Sequence, residues 1–326
     1  MEPEKNILVI KLGAMGDFIQ ALGPMVAIAK HHPRANITLL TTAPYVELAK
    51  ASGLFDDVWI DSRPKIFEIK KSLALRRKIL EKNFHRIYDL QTSDRSGFYF
   101  RLLNPWLRLF LGPFAGKWQR PEWSGSVKGA SHPHTDPARA LLHTVERQKE
   151  QLAIAGINDV PASDLSWALS DVSVFGIAGP YALLVPGGSA HRPEKRWAIE
   201  NYTEIAKRMM AAGITPAIIG SEAERGICTV IERDVPGSLN LCAKTSLLDI
   251  ATLGRGAALA LGNDTGPMHI IATAGAPSVV VFSSASDPRL CQPRGKRVKV
   301  LSRDNLKMLS AGEVWTILTL MRETPR

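Results

Sequence analysis

The 326-residue chain has few cysteines and no long hydrophobic run, and both deficits limit where it can work. Its cysteines are Cys228, Cys242 and Cys291, without the spacing of a metal site. A small, odd number of cysteines does not indicate a disulfide framework and predicts buried or incidental thiols in a reducing compartment. The first apolar run, residues 7–10, is much shorter than a secretion signal or a membrane span. We therefore expect a cytoplasmic protein.

The sequence also lacks the motifs of several other protein classes. The first glycine turn, residues 13–16, has two glycines where the dinucleotide fingerprint needs three, which disfavours a nicotinamide cofactor. We find no Asp-x-Asp pair that would hold a metal ion and no recognisable nucleic-acid-binding motif. No cofactor, no metal and no nucleic-acid partner are expected.

What the chain has in excess is positive charge. Its formal net charge is +10 and its isoelectric point is about 9.6. This balance favours an anionic partner, which could be nucleic acid, an anionic membrane surface or a phosphorylated substrate. Charge alone does not choose among these partners.

Two stretches concentrate the basic residues. A predicted helix over residues 66–81 is markedly basic, which suits a solvated face or contact with an anionic bilayer. Residues 95–123 mix arginine and lysine with eight aromatic side chains: Phe98, Tyr99, Phe100, Trp106, Phe110, Phe114, Trp118 and Trp123. That mixture suits single-stranded nucleic acid, a membrane headgroup layer or a loop that packs its aromatics into its own domain.

Short β-rich runs alternate with helical patterns in both halves of the chain. The predicted strands are residues 7–11, 37–40, 58–60, 87–90, 181–185, 216–219, 239–241, 257–261 and 278–282. The predicted helices between them include residues 18–30, 45–51, 66–81, 199–212, 222–234, 247–253 and 270–274. Such alternation predicts the α/β class, with parallel sheets covered by helices.

A region rich in Ser, Asp, Pro and Gly, around a weak predicted strand at residues 165–169, separates the two series. We therefore predict two Rossmann-like domains, residues 1–165 and 166–326, that face one interdomain cleft. The last helix is a candidate to pack back on the N-terminal domain.

The most informative stretch is residues 262–269, which follow an apolar strand and open a helix. At such a turn, free N–H groups and the positive end of the helix dipole favour a phosphate. Gly266 would let the backbone approach an anion closely, and Thr265 would add a hydroxyl donor. The alternative is a simple cap and turn made by Asn263, Asp264 and Thr265.

Other polar residues follow predicted strands in the same way. Asp17 follows the first strand and could act as a base in the cleft or simply cap a helix. Lys195 and Arg196 precede a helix and could meet phosphate oxygens, although such a pair is commonly just surface. Glu222 follows the second strand of the second half, where an acidic residue commonly accepts hydrogen bonds from a ribose diol. It could instead complement the helix dipole.

Five motifs in this order resemble those of the glycosyltransferase 9 family, the ADP-heptose:lipopolysaccharide heptosyltransferases of Gram-negative bacteria. They are residues 12–17, 186–189 with 195–197, 220–222, 244–247 and 262–269. The resemblance spans nearly the whole chain. It implies a GT-B fold, with an N-terminal acceptor-binding domain and a C-terminal nucleotide-sugar domain.

The resemblance also implies residue roles. Asp17 matches the family's general base, and Asp264 is similar to the aspartate that holds the sugar hydroxyls. Lys195 matches the family's contact to the donor phosphates, and Glu222 matches its contact to the ribose. Thr245 matches a position that lines the adenine pocket. Three further positions match residues near the diphosphate: Thr265, Gly266 and His269. The glycine turn adds Gly187 and Ser189 as candidate donor contacts.

The implied reaction is an inverting, metal-independent transfer of heptose from ADP-heptose to the inner core of a lipopolysaccharide precursor. Asp17 would take the proton of the acceptor hydroxyl, and Lys195 would stabilise the leaving nucleoside diphosphate. The acceptor would be a phosphorylated glycolipid, met at the cytoplasmic face of the anionic inner membrane. Some family motifs differ here, because Gly13 and Ala14 stand where other members have serines. A different nucleotide sugar or acceptor is therefore the alternative.

Overall fold

The structure is a computed structural model that describes residues 5–64, 68–103, 120–188 and 191–323. It divides into two compact units, each built on its own sheet. The first unit combines Met1–Ala14 with Ala21–Ala162. The second combines the short segment Met15–Gln20 with Ser163–Arg326. A segment from near the start of the chain is thus part of the second unit.

The first unit contains a six-stranded parallel sheet with the strand order β3-β2-β1-β4-β5-β6. Its strands are β1 (Asn6–Ile10), β2 (Asn36–Thr41), β3 (Asp57–Ile60), β4 (Phe84–Asp89), β5 (Glu122–Gly125) and β6 (His132–Pro133). In chain order after α1 (Met15–Gln20), which belongs to the second unit, its helices are α2 (Leu22–His31), α3 (Val46–Ala51), α4 (Ile69–Lys82), α5 (Asp94–Leu102) and α6 (Thr144–Ile154).

The second unit contains a six-stranded parallel sheet with the order β12-β11-β10-β7-β8-β9. Its strands are β7 (Tyr181–Val185), β8 (Thr215–Ile218), β9 (Leu239–Asn240), β10 (Leu259–Asn263), β11 (Ser278–Phe282) and β12 (Val298–Ser302). Besides α1, its helices are α7 (Ile199–Ala211), α8 (Arg225–Asp234), α9 (Leu247–Gly256), α10 (Gly266–Thr273), α11 (Pro288–Cys291) and α12 (Ala311–Glu323). The last helix, α12, packs on α7, β10 and β11.

Both sheets have the Rossmann strand order, which confirms the predicted α/β class. Counted within its own unit, each sheet runs 3-2-1-4-5-6. The strand order reverses between β1 and β4 in the first sheet and between β7 and β10 in the second. Ligands of such sheets bind beside the carboxyl ends of the strands at this reversal.

Proline splits the first predicted helix. The pattern predicts one helix over residues 18–30, whereas the structure has α1 and α2 with Ala21 between them. Pro24 has no N–H to donate to the carbonyl of Gln20, four residues earlier. That carbonyl instead accepts a hydrogen bond from the Ser163 hydroxyl, at 3.3 Å. The break lets α1 pack with the second unit.

Two further sequence predictions need correction. The weak strand predicted at residues 165–169 is absent, because Arg255 donates hydrogen bonds to the carbonyls of Leu165, Ser166 and Ala168 and holds this backbone as a turn. The irregular stretch predicted from residue 95 begins with helix α5, which Ser93 and Ser96 cap reciprocally. Strands β5, β6 and β12 were not predicted.

The aromatic residues that the structure describes in this stretch lie in the core. Tyr99, Phe100 and Trp123 are buried in one cluster with side chains of β1 and β4, and Phe98 packs against it. The ring of Phe100 meets that of Trp123 edge-on, with centroids 5.2 Å apart. These side chains therefore pack into their own unit, as one of the three interpretations expected. The other aromatics, Trp106, Phe110, Phe114 and Trp118, lie outside the described residues.

No helix within the described ranges is both long and apolar enough to cross a lipid bilayer.

Candidate active site

The candidate site lies at the carboxyl ends of β7 and β10, where the second sheet reverses its strand order. After β7 the chain forms the predicted glycine turn, of which Gly187 and Gly188 are described and buried while Ser189 lies outside the described residues. A Cβ at residue 187 would overlap the carboxylate of Glu224. Arg196 donates from its guanidinium to the carbonyl of Gly188 at 2.7 Å, so it holds the turn.

Asn263, the last residue of β10, connects the two strand ends. Its amide nitrogen donates to the carbonyls of Pro186 and Gly187, both at 2.8 Å. Its amide oxygen accepts from the Trp197 N–H and the Tyr202 hydroxyl, both at 3.0 Å. This buried side chain fixes the glycine turn relative to β10, which is a structural role that a simple helix cap would not have.

Asp264 and Lys195 form the central ion pair of the site. Lys195 Nζ lies 2.7 Å from Asp264 Oδ2, and the two side chains are only 13% and 9% exposed. The same carboxylate oxygen accepts from the Ser286 hydroxyl at 2.6 Å. Lys195 therefore neutralises a largely buried carboxylate.

Helix α1, which carries Asp17, belongs to the second unit and packs closely against α10. A Cβ at Gly16 would lie 2.6 Å from the ring of His269, and a Cβ at Gly266 would lie 2.6 Å from Met15 Cβ. Both glycines are thus required by the approach of the two helices. For Gly266 this is an additional reason for glycine, beside the anion contact that the sequence suggests.

Charged side chains from different parts of the unit act on the half-buried thiol of Cys291. Burial raises the pKa of Cys291 to about 11, and the carboxylates of Asp264 and Asp17 act in the same direction while Lys195 opposes them. Asp17, Asp264 and Lys195 therefore share one electrostatic neighbourhood. Cys228 and Cys242, which are buried, carry free thiols, as does Cys291. Among the described residues, no group of three or more His, Cys, Asp or Glu side chains could hold a metal ion.

The structure distinguishes two glutamates after β8. Glu222 is 70% exposed and forms an ion pair with Arg225 on the protein surface, which lowers the pKa of Glu222. Glu224 instead accepts from the backbone N–H of Gly188 at 3.1 Å and from the Ser221 N–H at 2.6 Å. The carboxylate next to the glycine turn is thus that of Glu224, which the motif does not single out.

The two candidate threonines, Thr245 and Thr265, follow strands β9 and β10. Thr265 is the N-cap residue of α10, but its side chain makes no capping hydrogen bond. Thr245 is half-buried in the turn after β9, just before Ser246, which caps α9.

Several residues of the site could not be found from the motifs: Gln20, Glu224, Ser286 and Cys291. Gln20 Nε2 lies 3.2 Å from Nδ1 of His269, although 249 positions separate the two residues. Each of these side chains takes part through a long-range contact, and no local pattern signals such a contact.

Two Rossmann-type sheets in one chain, with polar residues gathered at the carboxyl edge of the second, are the architecture of the GT-B glycosyltransferases. The particular family follows from the sequence. A model of glycosyltransferase family 9 (heptosyltransferase) matches residues 72–314. The chain belongs to this family and is a glycosyltransferase, as its motifs indicate.

Individual relatives agree with this membership. The lipopolysaccharide core heptosyltransferase OpsX of Haemophilus influenzae is 22% identical over 293 residues, which cover 86% of this chain and 80% of the relative. The structure of Escherichia coli ADP-heptose lipopolysaccharide heptosyltransferase II matches with a TM-score of 0.77 at 21% identity, over 97% of this chain and 98% of that one. E. coli heptosyltransferase WaaC with ADP matches with a TM-score of 0.70 at 19% identity, over 97% and 99%. These structural likenesses establish the fold.

Proposed function

We propose that this glycosyltransferase moves a heptose from ADP-heptose to the inner core of a lipopolysaccharide precursor, with inversion at the anomeric carbon. The observation that carries the proposal is the largely buried pair Lys195–Asp264 in the same electrostatic neighbourhood as Asp17. The names of the relatives support the donor and the acceptor. The alternative is another nucleotide sugar or acceptor in the same type of site.

In the proposed reaction, Asp17 removes the proton of the acceptor hydroxyl as that oxygen attacks the anomeric carbon. The bond from this carbon to the diphosphate breaks, and Lys195 and the amino end of α10 at Thr265 and Gly266 stabilise the negative charge that leaves. Binding of the donor releases Lys195 from Asp264 to the phosphates, and the Asp264 carboxylate accepts hydrogen bonds from the sugar hydroxyls. A single displacement of this kind inverts the anomeric centre, which the configuration of the product tests.

Lys195 and the backbone dipoles at the amino end of α10 would stabilise the leaving group in place of a divalent metal. We therefore propose that the transfer is metal-independent. Activity that persists in a chelating buffer would support this view, and activity restored only by an added divalent ion would overturn it.

For the ribose of the donor, the geometry favours Glu224 over Glu222. Its carboxylate lies against Gly187 of the glycine turn and accepts a hydrogen bond from the Gly188 N–H. The carboxylate of Glu222 is engaged with Arg225 at the surface. We propose Glu224 as the acceptor of the ribose hydroxyls, with Thr245 beside the adenine.

Calorimetric titration of the full chain with ADP-heptose, and with UDP- and GDP-sugars, tests the donor and the glutamate together. We expect selective binding of the ADP sugar. Glu224→Gln should weaken that binding roughly 10- to 100-fold, because hydrogen bonds to a charged acceptor contribute about 1.5–3 kcal/mol.

Glu222→Gln is the matched control and should bind as the wild type does. Equal losses in both variants, or a loss in Glu222→Gln alone, would return the ribose role to Glu222. Preference for a UDP- or GDP-sugar would keep the reaction class and discard ADP-heptose as the donor.

For the acceptor, we propose a basic cavity of the first unit. The cavity has a volume of about 750 Å³ and is lined by Arg101, Lys128 and Ser126 beside the apolar Phe100 and Val127. Asp94 also lines it, so the two cations exceed the acidic side chains of the lining by one. The charged ends of Arg101 and Lys128 have no ion-pair partner in the described parts of the chain. Two unpaired cations beside an apolar wall suit the anionic groups of a phosphorylated glycolipid.

We further propose that the protein works at the cytoplasmic face of the inner membrane and that helix α4 contacts its anionic surface. Lys70 is exposed next to Ile69, an apolar side chain that is also exposed. Arg77 is exposed on the same helix, although it pairs with Glu81. Basic residues near an anionic bilayer attract it by about 1 kcal/mol each.

Two double charge reversals test these contacts separately. Arg101→Glu with Lys128→Glu should raise the KM for a soluble phosphorylated acceptor at least tenfold and leave donor affinity unchanged. Lys70→Glu with Arg77→Glu should weaken cosedimentation with anionic vesicles about tenfold or more. Lys207→Glu with Lys299→Glu, two exposed sites of the second unit, is the control for net charge. An equal effect in this control would mean that only overall charge matters.

A further inference from the structure

The side chain of Gln20 occupies a buried position between three polar groups of the second unit. Gln20 ends α1 and is 3% exposed. Its Nε2 lies 3.2 Å from His269 Nδ1, 3.1 Å from the carbonyl oxygen of Gln292 and 3.4 Å from that of Cys291. Of the residues in these contacts, only His269 belongs to the motifs that resemble the family, and Gln20 lies outside all of them.

The two carbonyls decide which way the Gln20 amide points. A carbonyl oxygen only accepts hydrogen bonds, so the group that faces it must be the amide NH2. The reverse orientation would place the Gln20 oxygen against two other oxygens. Gln20 Oε1 is buried without a hydrogen-bond partner among the described residues, so turning the amide would also leave its NH2 without an acceptor there.

The orientation of the amide in turn decides the tautomer of His269. An NH2 group has no lone pair to offer, so His269 Nδ1 must accept its hydrogen bond and carry no proton. The proton of the neutral ring is then on Nε2. A doubly protonated ring is disfavoured for the same reason, because its Nδ1–H would face a second donor.

The Nε2 edge of His269 faces the start of α1. A Cβ at Gly16 would lie 2.6 Å from Nε2 and from Cδ2 of this ring. The His269 side chain is 6% exposed and so has a fixed orientation beside the residue that precedes Asp17.

We propose that Gln20 is a positioning residue for the transfer, which holds His269 as a neutral imidazole with its proton on Nε2. A neutral ring with this tautomer would offer the leaving diphosphate a hydrogen-bond donor and add no positive charge beside Asp17. The use of this N–H toward the diphosphate rests on the proposed function, whereas the tautomer itself does not.

The tautomer can be read directly in the full chain without any ligand. We would label the eight histidines with 15N and assign His269 by the signal that is lost in His269→Gln. Long-range 1H–15N correlation in the wild type should show an unprotonated Nδ1 and a protonated Nε2. Gln20→Glu, whose carboxylate accepts a hydrogen bond, should move a proton to Nδ1. Gln20→Met, similar in size but unable to donate, should give a mixture of tautomers.

Transfer should follow the tautomer. We expect kcat of Gln20→Glu to fall roughly tenfold, as the loss of one hydrogen bond of about 1.4 kcal/mol predicts, with Gln20→Met between it and the wild type. A wild-type ring protonated on Nδ1, or variants with an unchanged tautomer, would overturn the proposal even if the variants were unstable. A correct tautomer in a protein that binds no ADP sugar would instead count against the proposed function.

Discussion

Asp17→Asn is expected to lower kcat about 10²- to 10⁴-fold, the range that a general base contributes to catalysis. Asparagine has nearly the same shape as aspartate, but it cannot take a proton from the acceptor hydroxyl. Affinity for ADP-heptose should be unchanged or slightly higher, because a negative charge near the diphosphate is removed. Single-turnover kinetics at saturating donor would separate the chemical step from binding.

The control for this change is Asp234→Asn, which removes a carboxylate of the same unit at the surface of α8. Asp234 pairs with Arg233 and lies outside the candidate site. We expect wild-type kinetics from this variant. If Asp17→Asn keeps kcat within a few-fold of the wild type, the base is another group. Asp17 would then have only a structural role in the first turn of α1.

The sequence was sufficient to predict the elements that carry the site. Strand runs such as β1, β7 and β10 are apolar over most of their length, which is the pattern of a parallel strand buried on both faces. Because parallel strands end at a common edge, the residues that follow them meet there. The sequence therefore indicated Lys195 and Asp264 as separate candidate donor contacts, whereas the direct ion pair between them is a finding of the structure.

The sequence could not predict the contacts that refine this site. Gln20 meets His269, and Ser286 meets Asp264, through loops whose conformation depends on the packed unit. The choice between Glu222 and Glu224 depends on a three-residue helical turn, in which one carboxylate turns inward and the other outward. A shift of two positions in such a turn has no signature in composition or periodicity.

The mixed basic and aromatic pattern of residues 95–123 was ambiguous for a different reason. An amphipathic helix with a buried aromatic face and a basic outer face has the same composition as a binding loop. Burial of Tyr99 and Trp123, at roughly 1.5–3 kcal/mol for a large apolar side chain, decides in favour of the core. Arg101 of this region is exposed and lines the proposed acceptor cavity together with Phe100, whereas Tyr99 and Trp123 belong to the core.

Lys195→Met is expected to lower kcat/KM about 10²- to 10³-fold, because the leaving diphosphate loses the cation that we propose stabilises it. The ion pair with Asp264 predicts a second effect. Since both side chains are largely buried, removal of Lys195 leaves a carboxylate with Ser286 as its hydrogen-bond partner. Breaking a buried pair in this way costs about 3 kcal/mol of stability, which urea unfolding would measure.

The double variant Lys195→Met with Asp264→Asn separates these two effects. With both charges gone, no carboxylate is left buried, so the stability loss should be clearly smaller than the sum of the single losses. Transfer should not recover, because neither the phosphates nor the sugar hydroxyls regain a partner. If activity returned together with stability, Lys195 would serve only to neutralise Asp264, and the stabilisation of the leaving group would fall to the amino end of α10 alone.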